Sequence, residues 1–131
     1  MKKQPTKLYT DIDMKFTKNF ISGDIGKKSD VHAVRQACKN IIYTAMNERP
    51  FSPGWGSQIR EVLFEPIDDM TSGVLKGLVT QAIVNHEPRC KIERVFVTPT
   101  PDYHAYDLQV HFYIKGIPEI QSLGLVLSRL R

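Results

Sequence analysis

Cysteine is scarce in this 131-residue chain. Its two cysteines, Cys38 and Cys90, lie far apart and lack the Cys-x-x-Cys spacing of redox and zinc motifs. Both fall within otherwise apolar stretches, so we expect them to be buried as small hydrophobic side chains and not joined in a disulfide. His86 and Cys90 are spaced like two metal ligands on one helix, but Pro88 would break that helix. We therefore expect neither a metal nor a cofactor.

Long apolar runs are also missing. No segment approaches the roughly 20 apolar residues that span a bilayer. The N-terminus contains lysines but lacks the apolar core of a secretory signal. We therefore expect a protein that stays in the cytoplasm where it is made and has no membrane partner.

The motifs of common enzyme classes are absent as well. The chain has no phosphate-binding glycine loop, no dinucleotide fingerprint and no Gly-x-Ser-x-Gly elbow. Glycoside hydrolysis needs only two carboxylates about 5–10 Å apart. The carboxylates that could supply them are Glu65, Asp68, Asp69 and Glu87. A peptidoglycan-degrading enzyme is therefore kept as an alternative function, although we assign no catalytic residue.

Arginine is absent from the basic N-terminal arm, residues 1–28. This arm carries seven lysines against three aspartates, and the difference of four equals the net charge of +4 of the whole chain. A basic arm can bind nucleic acid because phosphate contacts dominate such affinity. Without arginine, a solvated or partner-bound arm is the preferred interpretation, and a nucleic-acid-binding module is the minor alternative. We divide the chain into this arm, with a short strand, and one α+β domain at 29–131.

Hydrophobic periodicity predicts three helices in the middle of the chain. The first would run from residue 29 to about Arg49, because apolar residues recur at helical spacing as far as Met46. A shorter helix is expected at 58–64 and another at 69–86. The candidate N-caps are Ser29, Ser57 and Thr71.

Alternation of apolar and polar residues predicts strands near both ends of the chain. The clearest strand runs through 106–115, with further strands at 92–97 and 123–127. A short half-buried strand is expected near the N-terminus, where the alternating apolar residues are Ile12, Met14 and Phe16. The expected fold class is α+β: a single small domain with one long and two shorter helices. These helices would pack on a small, mostly antiparallel sheet formed largely by the C-terminal third.

Two prolines and two glycines at 50–56 surround Phe51 and Trp55 and exclude regular structure there. We expect an ordered loop. Its two aromatic side chains could plug the core. They could also face a partner, because tryptophan is a frequent hot-spot residue of protein interfaces. Both interpretations are kept, with Phe51 and Trp55 as partner-facing candidates.

The tripeptide Glu87-Pro88-Arg89 is the most informative feature of the chain. Pro88 fixes its own φ and pushes Glu87 out of the α region, so the third helix should end at or just before Glu87. In the extended chain that follows, residues two apart face the same way. A glutamate at the negative end of a helix is unfavourable by roughly 0.3–1 kcal/mol, and Arg89 is the natural partner to offset it. We therefore predict a rigid, two-pronged docking site.

The last predicted strand lies almost at the C-terminus and carries little charge before Arg129. Such a strand would leave an exposed edge, which soluble proteins usually guard against. Either the edge is covered within the protein, or it pairs with a strand of another chain. The sequence leaves both alternatives open.

Four stretches, read in order, carry a family resemblance. They are Lys7-Leu8-Tyr9-Thr10-Asp11-Ile12-Asp13, Arg49-Pro50-Phe51-Ser52-Pro53-Gly54-Trp55-Gly56, Leu63-Phe64-Glu65 and Asn85-His86-Glu87-Pro88-Arg89. Together they resemble the small baseplate wedge protein, or sheath initiator, of contractile bacteriophage tails. That family has a counterpart in type VI secretion baseplates and an older label of gene 25-like lysozyme. The resemblance spans essentially the whole chain.

The resemblance implies a structural virion protein without enzymatic activity. Glu87, Pro88 and Arg89 would dock on a helical core bundle formed by larger baseplate wedge proteins. A strand at about 120–130 would pair with the tail sheath protein and initiate sheath polymerisation. The strand residues concerned are Ile120, Leu123, Leu125 and Leu127. Six copies would surround the tail tube in the baseplate, assembled in the host cytoplasm, with tail tube or hub proteins as further candidate partners.

Overall fold

The structure of the protein is a computed structural model that describes residues 9–12, 14–16, 18, 23 and 27–128. Its elements in chain order are β1 Thr10–Ile12, β2 Lys27–Ser29, α1 Val31–Tyr43, α2 Ile59–Val62, α3 Asp69–His86, β3 Cys90–Thr100, a 3-10 turn Pro101–Tyr103, β4 Ala105–Ile114 and β5 Ile117–Ser128. The last three strands form an antiparallel sheet in the order β3-β4-β5, whereas β1 and β2 form a separate antiparallel pair. The predicted α+β fold, with three helices and an antiparallel sheet from the C-terminal part, is confirmed.

The core lies between the helices and one face of this sheet. β4 forms its centre, because the alternate residues Leu108, Val110 and Phe112 are buried. The helical residues that pack in the same core are Val34, Cys38, Ile42, Leu75, Val79 and Ile83. Burying one such aliphatic or aromatic side chain stabilises a fold by roughly 1.5–3 kcal/mol. The helices and the sheet therefore depend on each other for stability.

Both cysteines belong to this core, as predicted. Cys38 lies on α1 and Cys90 opens β3, and both are buried free thiols. The pKa of Cys38 is raised, first by its hydrogen bond to Cys90 and then by burial. A thiol with a raised pKa stays neutral, which suits packing in the core and does not favour reactivity.

α1 ends at Tyr43, well before the predicted end near Arg49. Thr44 is already extended, with ψ 120°, and its hydroxyl donates to Asn40 O at 2.7 Å. Ala45 then forms an isolated parallel bridge with residue 57. The apolar spacing does continue to residue 46, but this pairing with a distant segment replaces the next helical turn.

The N-caps predicted for the first two helices are wrong. Asp30, not Ser29, precedes α1. Ser57 does not cap α2, because its buried hydroxyl donates to Ile42 O at 3.1 Å. α2 is also shorter than predicted and forms a single turn. A serine before an apolar run is therefore not a sufficient cap signal when a carbonyl of the core competes for its hydroxyl.

α3 positions the candidate site and ends where predicted, at His86. Its N-cap is Asp68 and not Thr71, since the Asp68 carboxylate accepts the Thr71 N–H at 2.7 Å. This backbone bond lowers the pKa of Asp68 below its ordinary value. At the other end Glu87 has φ −125° and ψ 88°, outside the helical region, as a residue before proline should be. Among the described residues no helix combines the length and the apolar character needed to cross a membrane.

The predicted N-terminal strand is only partly present. β1 ends at Ile12, and Phe16 has a positive φ of 52°. Ile12, Met14 and Phe16 are all more than half exposed, so the predicted half-buried face is wrong. Pairing of β1 with β2, with Asp11 opposite Lys28, holds this part of the chain instead. The arm residues Lys2, Lys3 and Lys7 lie outside the described residues.

Glycine is required at position 56. Gly56 has φ +137°, and a Cβ there would lie 2.7 Å from Ala45 O and 2.8 Å from Thr44 O. We expect Gly56→Ala to lower the free energy of unfolding by about 2 kcal/mol or more, through backbone strain and steric overlap. Urea denaturation would measure this loss.

Gly77→Ala is the matched control for that variant. It lies inside α3 with no atom within 4 Å of an added Cβ. Alanine there should stabilise the protein by about 0.5–1 kcal/mol. Equal stability of Gly56→Ala and the wild type would contradict the steric argument.

Candidate docking site

A sharp turn joins α3 to β3. The Glu87 N–H still donates to Ile83 O at 2.9 Å, as in a helix, whereas the Cys90 N–H turns back to Glu87 O at 3.3 Å. Arg89 O accepts a bond of 2.9 Å from the N–H of Lys115, in the turn between β4 and β5. The corner is therefore fixed by backbone hydrogen bonds to the helix on one side and to the sheet on the other.

Glu87 and Arg89 form the predicted pair. The Arg89 Nε donates to Glu87 Oε1 at 2.7 Å, and Nη2 donates to Oε2 at 2.9 Å. The Arg89 backbone N–H adds a bond of 3.2 Å to Oε1. The hydrogen bond to Glu87 raises the pKa of Arg89 against the opposing effect of burial. Such a two-point geometry fixes the plane of the guanidinium as well as its charge.

The N-terminal arm covers this pair from a distance of 78 residues along the chain. Asp11 Oδ2 lies 3.4 Å from Arg89 Nη2, and the guanidinium carbon lies 5.4 Å from the centre of the Tyr9 ring. Tyr9 is held in place by its hydroxyl, which donates to Lys115 O at 2.8 Å, and by an exchange of hydrogen bonds with Asp30. Tyr9 and Asp11 therefore belong to the same site as the turn.

The exposures of these residues determine what another protein can reach. Glu87 is only 4% exposed, whereas Pro88 is exposed at the tip of the turn. The side chains of Arg89 and Asp11 are 24% and 38% exposed. Glu87 is consequently a positioning residue that holds Arg89. The surface open to a partner consists of Pro88, Asp11 and the outer part of the guanidinium.

Sequence reasoning missed Tyr9 and Asp11 as members of the site. In the sequence, Asp11 stands out only as a charge of the basic arm and as part of a family-like stretch. Hydrophobic periodicity and helix-capping patterns report on neighbours within a few residues. They carry no information about which carboxylate reaches Arg89 from the other end of the chain.

β5 is the predicted C-terminal strand, and the burial of its side chains differs between the two faces of the sheet. Leu123 and Leu127 are buried in the core, so only their backbone groups could take part in the predicted strand pairing. Leu125 is half-buried, whereas Ile120 and Val126 are 51% and 58% exposed on the other face. Residues 129 and 130 of the predicted strand lie outside the described residues.

The two outer strands of the sheet have different edges. β3 contains a bulge between Ile92 and Arg94, as well as Pro99, and both features discourage pairing with a further strand. By contrast, β5 pairs with β4 in unbroken register from Ile120 to Ser128. Within the described residues no strand pairs with the other edge of β5. The regular edge without a neighbouring strand therefore belongs to β5, the strand nearest the C-terminus.

The two loop aromatics have separate environments. Phe51 is 99% exposed, so it does not plug the core. Trp55 is half-buried between two side chains: the guanidinium carbon of Arg49 lies 3.6 Å from its ring centre, and the His86 ring lies 5.4 Å away. The sequence grouped Phe51 and Trp55 as equivalent, but only Phe51 projects into solvent.

Metal-ligating side chains do not converge in the part of the chain that the structure describes, where no group of three or more occurs. His86 Nε2 accepts the Gly56 N–H at 3.4 Å. Cys90 is held in the core beside Cys38. The two side chains considered as ligands are thus engaged separately.

The fold, a small α+β domain with a rigid surface turn and one regular strand edge, occurs in solved tail and baseplate proteins. A protein described as a tail lysozyme from Geobacter sulfurreducens has a TM-score of 0.70 at 20% identity, over 76% of this chain and 91% of that chain. A chain of the postcontracted pyocin R2 baseplate has a TM-score of 0.64 at 21% identity, over 82% and 99%. A chain of the anti-feeding prophage baseplate has a TM-score of 0.64 at 16% identity, over 93% and 86%.

The chain belongs to the family of the baseplate wedge protein gp25, whose sequence profile it matches over residues 28–120. It is 27% identical to the baseplate wedge protein gp25 of Enterobacteria phage T4 over 123 residues, which are 93% of this chain and 92% of that protein. The resemblance seen in the sequence is therefore confirmed. The protein is a wedge-type structural component of a contractile tail and is located in the tail baseplate.

Removing the charge of Glu87 should weaken the fold. We expect Glu87→Gln to lower the free energy of unfolding by about 1–3 kcal/mol, because the guanidinium loses its charged partner at a largely buried position. Urea denaturation at neutral pH would measure the change. Glu119→Gln removes the same charge from an exposed residue of β5 and should change stability by less than about 0.5 kcal/mol. Equal effects of the two substitutions would show that the pair does not stabilise the protein.

Proposed function

We propose that this protein docks on the larger baseplate wedge proteins through the turn at Glu87-Pro88-Arg89 and initiates sheath polymerisation through β5. Its partners would be a helical core bundle of those wedge proteins and the tail sheath protein. Tail tube or hub proteins are further candidates. We expect six copies per particle. The anti-feeding prophage baseplate, which has a chain of this fold, is a six-fold symmetrised assembly.

The observation that carries the docking proposal is the burial of Glu87 beneath Arg89. Both carboxylate oxygens bond the guanidinium, so Arg89 is held in one orientation before any partner arrives. The Arg89 Nη1 forms no hydrogen bond with any of the described residues. Its donors, next to the exposed Pro88, suit carboxylate or carbonyl oxygens on a helical bundle. Little side-chain entropy remains to be lost on binding, which favours affinity.

The sheath proposal is supported by the geometry of the β5 edge. The Tyr43 hydroxyl donates to Val126 O at 3.4 Å, so this carbonyl faces away from β4. Backbone groups of an antiparallel strand face a given neighbour at every second residue. We infer that Ser122 and Gly124 also direct their backbone groups to the open edge. Within the described part of the protein, an incoming strand would find the backbone groups of Ser122 and Gly124 unpaired, whereas Val126 O would have to exchange its bond with Tyr43 for one with that strand.

The mechanism would be templating. A sheath ring that forms without a template must bring together several flexible strands before any of their contacts stabilise the ring. Copies of β5 fixed around the baseplate would present ordered edges, so each sheath strand would add to an existing sheet. Backbone pairing tolerates bending, so the same contacts could anchor the sheath during contraction.

The enzymatic alternative gains no support from the site. Of the four carboxylates considered, Glu87 is bonded to Arg89 and Asp68 caps α3. The description as a tail lysozyme belongs to the Geobacter sulfurreducens protein, and no observation on this chain favours transferring it.

The docking proposal predicts the behaviour of an Arg89 variant. Tagged protein should recover the large wedge proteins from a lysate that produces the particle, and Arg89→Ala should recover them about tenfold less, as for an interface hot spot. Lys91→Ala, which removes an exposed cation two residues away, should behave like the wild type. Circular dichroism would establish that each variant is folded. Undiminished recovery by folded Arg89→Ala would refute the docking role.

The sheath proposal predicts an effect of proline on the β5 edge. Ser122→Pro removes a backbone N–H that we infer to face the open edge, so the protein should stay folded while sheath assembly loses its template. Electron microscopy would count baseplates that carry sheath. Ser122→Ala changes the same side chain but keeps the N–H, and should assemble normally. Normal sheath growth on folded Ser122→Pro baseplates would contradict strand pairing.

A further inference from the structure

The segment 44–58, which we call the aromatic loop, is rigid although it lacks regular structure. The Ser57 N–H donates to Thr44 O at 2.9 Å and closes its base. Within it, the Asn47 N–H donates to Pro53 O at 2.8 Å and the Trp55 N–H to Ser52 O at 3.0 Å. Two prolines at 50 and 53 further restrict the backbone. The tip of the loop is therefore presented in one shape.

Arg49 is stacked and still has donors to offer. Its guanidinium lies 3.6 Å over the Trp55 ring, and the other neighbour of that ring is His86 at 5.4 Å. Stacking uses the face of a guanidinium and leaves its N–H donors free at the rim. Among the described residues Arg49 has no ion pair. A stacked arginine with free donors is pre-organised for a carboxylate.

Phe51 stands beside this arginine, and folding gains nothing from its ring. At 99% exposure, it has the largest exposure found among the large apolar side chains of the described residues. A single exposed apolar residue is common on protein surfaces. Here, however, the ring is held on a rigid loop two residues from a fixed arginine. Phenylalanine and arginine are both enriched in the cores of protein interfaces relative to the rest of the surface.

We infer that Arg49 and Phe51 form a second docking surface, for a segment of another baseplate protein that has an apolar socket beside an aspartate or glutamate. The socket would take the Phe51 ring, and the acid would bind the Arg49 guanidinium. Trp55 would act as the platform that holds Arg49. This inference rests on the membership of the chain in a baseplate family and does not require docking through Arg89.

The charges of the loop favour a protein over nucleic acid. Glu48 and Arg49 are the only charged residues at 44–58, so the loop has no net charge. The Glu48 carboxylate is fixed nearby, where it accepts the Ala45 N–H at 2.8 Å. Nucleic acid binding relies on several cations to neutralise phosphates. One arginine beside a fixed carboxylate does not provide them.

Photocrosslinking in the assembled particle would test this surface. Phe51 would be replaced by p-benzoylphenylalanine in cells that produce the particle, and crosslinked peptides would be identified by mass spectrometry. We expect one site on another baseplate protein, in an apolar segment with an acidic residue close by. Arg49→Ala should reduce the crosslink yield about tenfold, and Arg49→Lys should reduce it less. Crosslinks to nucleic acid, or only to the protein's own chain, would overturn the inference.

Two further positions separate this inference from the docking proposal. The same photoreactive residue at Phe96, which is exposed on β3, gives the background for an apolar surface position. At Lys91, an exposed position two residues after Arg89, it reports on docking through the turn without replacing a residue of the site. A crosslink from position 91 with only background from position 51 would overturn the second surface and leave the first intact. A specific crosslink from position 51, with only background from the turn, would support the second surface and contradict docking through the turn.

Phe51→Ala provides a second measurement. Because the ring buries almost nothing in the isolated protein, the thermal unfolding temperature should not change. The number of complete particles should fall about tenfold or more. Phe96→Ala is the matched control, with normal particle numbers expected. Wild-type particle numbers for Phe51→Ala would overturn the proposed role.

Discussion

The hydrogen-bonded pair of Glu87 and Arg89 is the interaction on which the candidate site depends. A helix ends there, a strand begins there, and the arm reaches it through Asp11. The pair also resolves an electrostatic conflict, because a glutamate at the negative end of a helix is unfavourable until a cation lies beside it. Arg89 supplies that cation from two residues further along the chain. The geometry needed to stabilise the helix end is thus also the geometry that fixes a surface arginine.

In the proposed assembly, β5 would serve both folding and strand pairing. Because side chains alternate between the two faces of a sheet, Leu123 and Leu127 pack in the core while their neighbours face solvent. The backbone edge lies in neither face, so in the proposed assembly another strand would pair with it. Strand addition therefore needs no apolar side chain to leave the core. The bulge and Pro99 on β3 discourage the same event on the opposite edge.

The sequence predicted best where a structural cause acts over a few residues. Pro88 placed the end of α3, and alternation placed β4, because both effects act on neighbouring residues. The end of α1 was wrong because Thr44 bonds to residue 57, a partner that periodicity cannot reveal. Asp11 was missed as a partner of Arg89 for the same reason. The turn of the site was therefore predictable from the sequence, whereas its covering arm required the tertiary structure.

The position of Lys115 connects the two proposed contact surfaces mechanically. Its N–H donates to Arg89 O, and its carbonyl accepts the Tyr9 hydroxyl, while β5 begins two residues later at Ile117. In the proposed assembly, a pull from the sheath on β5 would pass through this turn to the docked arginine. The path consists of backbone hydrogen bonds and one short turn and does not cross the side-chain packing of the core. Such a path would resist extension without loosening the core, as the proposed anchoring of the sheath during contraction would require.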